Sequence, residues 1–237
     1  MIKRKISARS GYIFTEAVRI IEIYNCDSII SLACGYSMLG FLVNQRVKKA
    51  IDIVDTDLLD ILQSRQSRYK YLPLNDSEKS SLSNIHHLEF DIEKAFLEDI
   101  KLASFFKRYK RPVIILEGIT YFLNPKTRDW LMAQLKEWDD ACIILECWPE
   151  SPLEIGQKIK ESFKADLNKD FKENLQSFML DKIIDELKVC YDGKDIGVGE
   201  AELKLSKIAQ EENQLIEQNE YYPIRIFTGI PNHKIKA

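Results

Sequence analysis

Histidine, cysteine and long apolar runs are all scarce in this chain, and each shortage excludes something. Among 237 residues there are three histidines, two of them adjacent (His86, His87), so a zinc site is not expected and no metal is assigned. The five cysteines (Cys26, Cys34, Cys142, Cys147, Cys190) are odd in number and show no CxxC spacing. That pattern excludes a disulfide framework and fits reduced thiols in a cytoplasmic protein. No apolar stretch approaches the roughly 20 residues needed to cross a bilayer. The basic start, Met1 to Lys5, is not followed by an apolar core segment, so no secretory signal is expected. A net charge of −3 provides no general attraction to nucleic acid or to an anionic membrane. Internal repeats and long linkers are also missing, and nothing in the sequence assigns an oligomeric state.

What is present is ordinary for a globular chain: 45% apolar and 30% charged residues. The length suits one domain over 1–237 with a sizeable core. Apolar periodicity predicts helices over 14–24, after Gly35, over 57–71, 93–109 and 125–138. Strands are expected near 28–33, 49–55, 85–90, 112–116 and 141–146, with a last one near 221–228. Residues 73–83 hold Pro73, Asn75, Asp76 and four serines and read as a loop. Beyond Pro149 the chain becomes rich in lysine and glutamate, and Phe163, Phe171 and Phe178 recur at helical spacing. Residues 150–190 are the expected helical cap, and 199–218 read as another charged helix. Alternating strands and helices predict an α/β fold, Rossmann-like and doubly wound, with a mostly parallel sheet.

The informative stretch is Asp27 to Asp57, which reads as strand, glycine turn, helix, strand. Gly35 allows a ligand close to the backbone, and Asp55 lies about twenty residues on, where an acid can hold ribose hydroxyls. Asp57 is assigned to helix capping. Gly35, Asp55, Asp91 and Glu117 fall at the ends of successive predicted parallel strands, where open α/β sheets bind ligands. Asp91 reads equally as a helix cap and, with the Ile92 backbone, as a bracket for adenine. Glu117 ends the most apolar strand, and a carboxylate buried there needs a partner: Arg9 or a ligand ammonium.

The turn has glycine at one of the three positions of G-x-G-x-x-G, the others being Ala33 and Met38, and no G-x-x-x-x-G-K-[ST] segment exists. A pyrophosphate cofactor is therefore disfavoured. S-adenosylmethionine has no phosphate and needs one open glycine, an acid for ribose, a polar edge for adenine and charge partners for its amino-acid end. In order, SLACGYSML, DIVDTD, LEFDI and LEGITYFL resemble the leucine carboxyl methyltransferase family, including its bacterial branch of tetracenomycin-type polyketide O-methyltransferases. The resemblance spans residues 7–125, and EGITYFL is its most specific block. It implies the S-adenosylmethionine-dependent methyltransferase fold, with cofactor contacts at Arg9, Gly35, Asp55, Asp91, Ile92 and Glu117, and Tyr121 near the pocket. The chain departs from the family turn at Ala33 and at Ser37-Met38.

The expectation is methyl transfer to a carboxylate or hydroxyl oxygen of a small molecule or peptide. A carboxylate acceptor needs no base; a hydroxyl does. Tyr121, His86 and His87 are the candidates near strand ends, and Tyr121 reads equally as a packing aromatic. Two rivals stand beside this reading: a cofactor-binding protein of the same fold without catalysis, and a nicotinamide-dependent reductase.

Overall fold

The computed structural model of the chain describes residues 2–147, 181–197 and 225–232. Among these, helices α1 (Ile2–Tyr24), α2 (Leu39–Arg46), α3 (Leu59–Tyr69), α4 (Asp76–Leu82), α5 (Ile92–Leu97), α6 (Leu102–Phe105), α7 (Pro125–Glu137) and α8 (Asp181–Cys190) surround one sheet. Its strands are β1 (Ser28–Ser31), β2 (Asp52–Asp57), β3 (Ile85–Glu89), β4 (Pro112–Leu116), β5 (Cys142–Cys147), β6 (Tyr191–Gly197) and β7 (Arg225–Pro231), in the order β3-β2-β1-β4-β5-β7-β6. The first five pair in parallel, and β7 runs antiparallel to both β5 and β6. The expected α/β architecture, doubly wound and mostly parallel, is what the chain adopts.

The central strands are apolar because both faces are covered. Every residue of β1, β4 and β5 is buried. Successive side chains alternate between two cores. Ile30, Val54, Ile114 and Leu116 face the layer of α5, α6, α7 and α8. Ile29, Ile53, Val113 and Ile115 face α1 and α2, through Ile13, Ala17, Ile20, Ile21, Leu39, Phe41 and Val43. Each such side chain contributes roughly 1.5–3 kcal/mol over an exposed one.

Several boundaries differ from expectation. Helix α1 begins at Ile2, not near residue 14, and runs through Ser10 and Gly11. Burial of Tyr12 and Ile13 outweighs the modest helix penalty of a single glycine. The expected loop at 73–83 contains α4. Asn75 accepts from the Glu78 amide while the Glu78 side chain accepts from the Asn75 amide, a reciprocal cap that serine content had obscured. The single helix expected over 93–109 is broken at Asp99, whose φ of +49° is left-handed, so α5 and α6 are separate. Strand β6 was not foreseen. It is polar and carries Gly193, whose hydrogen takes the place where a Cβ would lie 2.3 Å from the Phe227 ring. The final strand is described over Arg225–Pro231; residues 221–224 of the expected strand lie outside the described residues.

Of the expected cap, the part over 150–180 lies outside the described residues, as do Phe163, Phe171 and Phe178 and the helix expected at 199–218. The last ten residues of the 150–190 stretch form α8, with Ile184 and Leu187 buried in the main core. No helix among the described residues is long and apolar enough to cross a membrane.

Candidate functional site

Parallel β1 to β5 bring their C-terminal ends to one rim, where open α/β sheets hold ligands. After β1 the backbone turns through Ala33 and Gly35, both left-handed with φ of +52° and +51°. Glycine adopts this conformation without steric cost. A Cβ on Gly35 would meet nothing within 4 Å, so the outer side of the turn is open. The inner side is clamped. The Gly35 amide donates to Asp57 Oδ2 at 2.7 Å, and its carbonyl accepts from Arg65 Nη1 at 3.2 Å. The Cys34 amide donates to the Thr56 carbonyl at 2.9 Å. Helix α2 follows directly, with its first amide donating to Ser37 Oγ at 3.3 Å.

Asp55 and Asp57 lie in surroundings opposite to those expected. Asp55 does not close its strand; β2 continues to Asp57. Asp55 is 1% exposed, and its Oδ2 meets Arg65 Nη2 at 2.6 Å. Burial pushes the Asp55 carboxyl up, and the facing guanidinium opposes that push. Arg65, from the helix expected over 57–71, is 2% exposed and also donates from Nε to Tyr69 Oη at 2.7 Å. Asp57 ends the strand at the turn, half-buried, and accepts from both Gly35 and the Leu58 amide. The helix capping expected of Asp57 is not found: Leu58 is the N-cap of α3 and no side chain caps that helix, because the Asp57 carboxylate is turned to the Gly35 amide instead.

Asp91 caps α5. Its Oδ1 accepts from the Glu93 and Lys94 amides at 2.9 and 3.1 Å. Ile92 opens that helix and is buried in the core. The two histidines lie within β3, with His87 beside Asp55 in register, rather than at its C-terminal end. Burial, with Arg65 and His86 nearby, lowers the His87 imidazole to about 4, so it is neutral at physiological pH. Cys34 lies in the turn, but burial and the Asp55 charge raise its thiol to about 12, which removes thiolate character.

The strongest grouping of charge forms where β4 and β5 end. Glu117 accepts from Arg9 Nη2 at 3.2 Å, from Ser10 Oγ at 2.5 Å and from Ser37 Oγ at 3.4 Å. The first two donors come from α1 and the third from the glycine turn. Arg9 also donates from Nη1 to Glu146 Oε1 at 3.2 Å. Tyr121 is buried and donates its hydroxyl to the same oxygen at 3.3 Å. Two buried polar atoms, Arg9 Nε and Glu146 Oε2, have no hydrogen-bond partner among the described residues. A zwitterionic or cationic ligand end fits such a cradle, which offers a donor and an acceptor together.

Sequence reasoning brought Gly35, Arg9 and Glu117 to one rim, and the structure places them there. It missed Ser10, Ser37, Arg65 and Glu146. A signal existed for Glu146: VIILEG and CIILEC repeat the same Ile-Ile-Leu-Glu core, and the register sets Leu116 beside Leu145. No spacing rule pointed to Arg65, which reaches Asp55 from the next helix.

No family model matches the chain, and no curated protein matches it in sequence. Solved structures do. A candidate methyltransferase from Thermobifida fusca YX superposes with a TM-score of 0.62 at 12% identity, over 97% of this chain and 82% of that one. The plantazolicin methyltransferase BamL, solved with a triazolic desmethylPZN analog and SAH, gives 0.58 at 12% identity, over 97% and 87%. The magnesium protoporphyrin IX methyltransferase of Synechocystis PCC 6803, solved with SAH, gives 0.55 at 9% identity, over 97% and 86%. The seven-stranded sheet and these superpositions together establish that the chain has the Rossmann-like fold of S-adenosylmethionine-dependent methyltransferases.

Proposed function

We propose that the chain is an S-adenosylmethionine-dependent O-methyltransferase forming a single domain over 1–237. The observation that carries the reading is Glu117, held at the strand rim by Arg9, Ser10 and Ser37 beside the open face of Gly35. When bound, the cofactor supplies an electrophilic methyl group on a positively charged sulfur. Glu117 and Arg9 receive its amino-acid end, as carboxylate and guanidinium partners. Gly35 leaves room over the turn. Asp57 takes the ribose role first given to Asp55, because its carboxylate stands at the strand end whereas Asp55 is committed to Arg65. Asp91 and Ile92 border the adenine side, with the Asp91 carboxylate also fixing α5.

The acceptor is a small molecule or peptide presenting a hydroxyl or carboxylate. Support comes from a cavity of about 630 Å³ between α1 and α2 that shares Ser10 and Ser37 with the Glu117 cradle. Its walls include Phe14, Met38, Leu39 and Leu42, so it suits an apolar body. Tyr121, which donates its hydroxyl to Glu146, is the residue we assign to proton handling. The specific likeness to leucine carboxyl methyltransferases and their tetracenomycin-type relatives rests on the LEGITYFL block, which delivers Glu117 and Tyr121.

Calorimetry with S-adenosylmethionine, followed by a methyl-transfer assay over small carboxylic acids and phenols, tests this. Binding followed by turnover is expected. Binding without turnover on any acceptor favours a non-catalytic relative, and an NADH difference spectrum in place of it favours the reductase.

A further inference from the structure

The parallel register of β4 and β5 sets Leu116 beside Leu145, so the glutamates that follow them, Glu117 and Glu146, stand side by side. One guanidinium serves both, with Arg9 Nη2 and Nη1 each 3.2 Å from one carboxylate. Glu146 is 0% exposed and its Oε2 has no hydrogen-bond partner among the described residues. The described titratable groups facing it are Arg9 from α1 and Glu117 and Tyr121 from the segment after β4. On β7, Ile226 lies opposite Glu146 and Arg225 opposite Cys147. With both carboxylates ionised, the Arg9–Glu117–Glu146 group carries one negative charge in excess. A buried like-charged pair relieves such an excess by keeping a proton or by acquiring a cation.

We propose that Glu146 keeps a proton while no cation occupies the rim, and releases it to solvent when a ligand of the sulfonium or ammonium class docks beside Glu117. This rests on the methyl-donor reading above. The exchange balances: Glu146 passes from carboxylic acid to carboxylate, one proton goes to the buffer, and the ligand's positive charge takes its place. Burial pushes the Glu146 carboxyl up to about 7; Arg9 pulls it down and Glu117 adds to the rise. The carboxyl is therefore poised at neutral pH, about half protonated, and a modest change of local charge suffices to free the proton. Tyr121 Oη, donating at 3.3 Å, favours the ionised carboxylate once the cation is in place.

Titration calorimetry of the whole chain with S-adenosylmethionine, in phosphate and in Tris from pH 6 to pH 9, reads the released proton directly. The observed heat is expected to vary with the buffer's ionisation enthalpy, with about half a proton released near pH 7, more toward pH 6, and release fading toward pH 9, where Glu146 is already ionised. S-adenosylhomocysteine, which lacks the sulfonium charge, should release less. Glu146→Gln should bind without the buffer dependence; should that variant fail to fold, the pH series on the natural chain decides. Heat independent of buffer at every pH, or an unchanged dependence in Glu146→Gln, overturns the proposal. No binding heat with either nucleoside is a separate result, which overturns the methyl-donor reading and this proposal with it.

Discussion

At the scale of residues, Asp55 and Asp57 differ by two positions and stand in opposite surroundings, the first committed to Arg65 and the second proposed to meet the ligand. Asp55→Ala strands the Arg65 guanidinium, 2% exposed, without its anion. Removing one partner of a buried pair costs about 3–5 kcal/mol, so the urea midpoint should fall steeply. Asp57→Ala removes a half-buried carboxylate that accepts from the Gly35 and Leu58 amides, a loss of about 1–2 kcal/mol. Its main effect should be weaker S-adenosylmethionine binding, tenfold or more by calorimetry. The pH dependence of stability carries the mark of Glu146. Its ordinary value of 4.5 rises to about 7 on folding. The folded chain thus binds more protons than the unfolded one across that window. This contribution is intact below pH 4.5 and lost as pH rises through 7, roughly 3 kcal/mol in total. Comparing urea midpoints at pH 5 and pH 8, the decline should be smaller in Glu146→Gln than in the natural chain. Gly35 and Glu117 were legible because each interrupts an apolar run. Arg65 was not, since helical spacing says which face a residue takes but not which buried acid waits on the neighbouring strand.

At the scale of elements, the clearest strands were read nearly to the residue: β4 and β5 are continuous apolar runs buried on both faces, a pattern with few rival explanations. Helix α4 escaped because its serines spoke for a loop, although Asn75 and Glu78 carry the reciprocal cap in plain sequence. Asn75→Ala should cost about 1 kcal/mol, visible as faster amide hydrogen exchange over 76–82 with the central strands unchanged. The break at Asp99 was hidden for another reason. Apolar periodicity continues across it, while the left-handed residue that separates α5 from α6 leaves no periodic trace.

For the molecule as a whole, strand and helix alternation was enough to yield the parallel half of the sheet. The antiparallel end was not, because β6 is glycine-bearing and polar and is defined by its partner β7 rather than by its own pattern. Ligand linkage acts at this scale too. S-adenosylmethionine at a hundred times its dissociation constant should stabilise the fold by about 2.7 kcal/mol, raising the melting temperature by a few degrees where NADH does not.

Arg9 belongs to the first helix, while the two carboxylates it bridges stand just after β4 and within the neighbouring β5. The proposed grip on a charged guest therefore depends on tertiary docking four and eleven residues further along the helix, at Ile13 and Ile20 against the sheet. A lesion such as Ile20→Ala, remote from any nucleoside, should blunt capture of the guest at temperatures where circular dichroism still reports an undiminished helix.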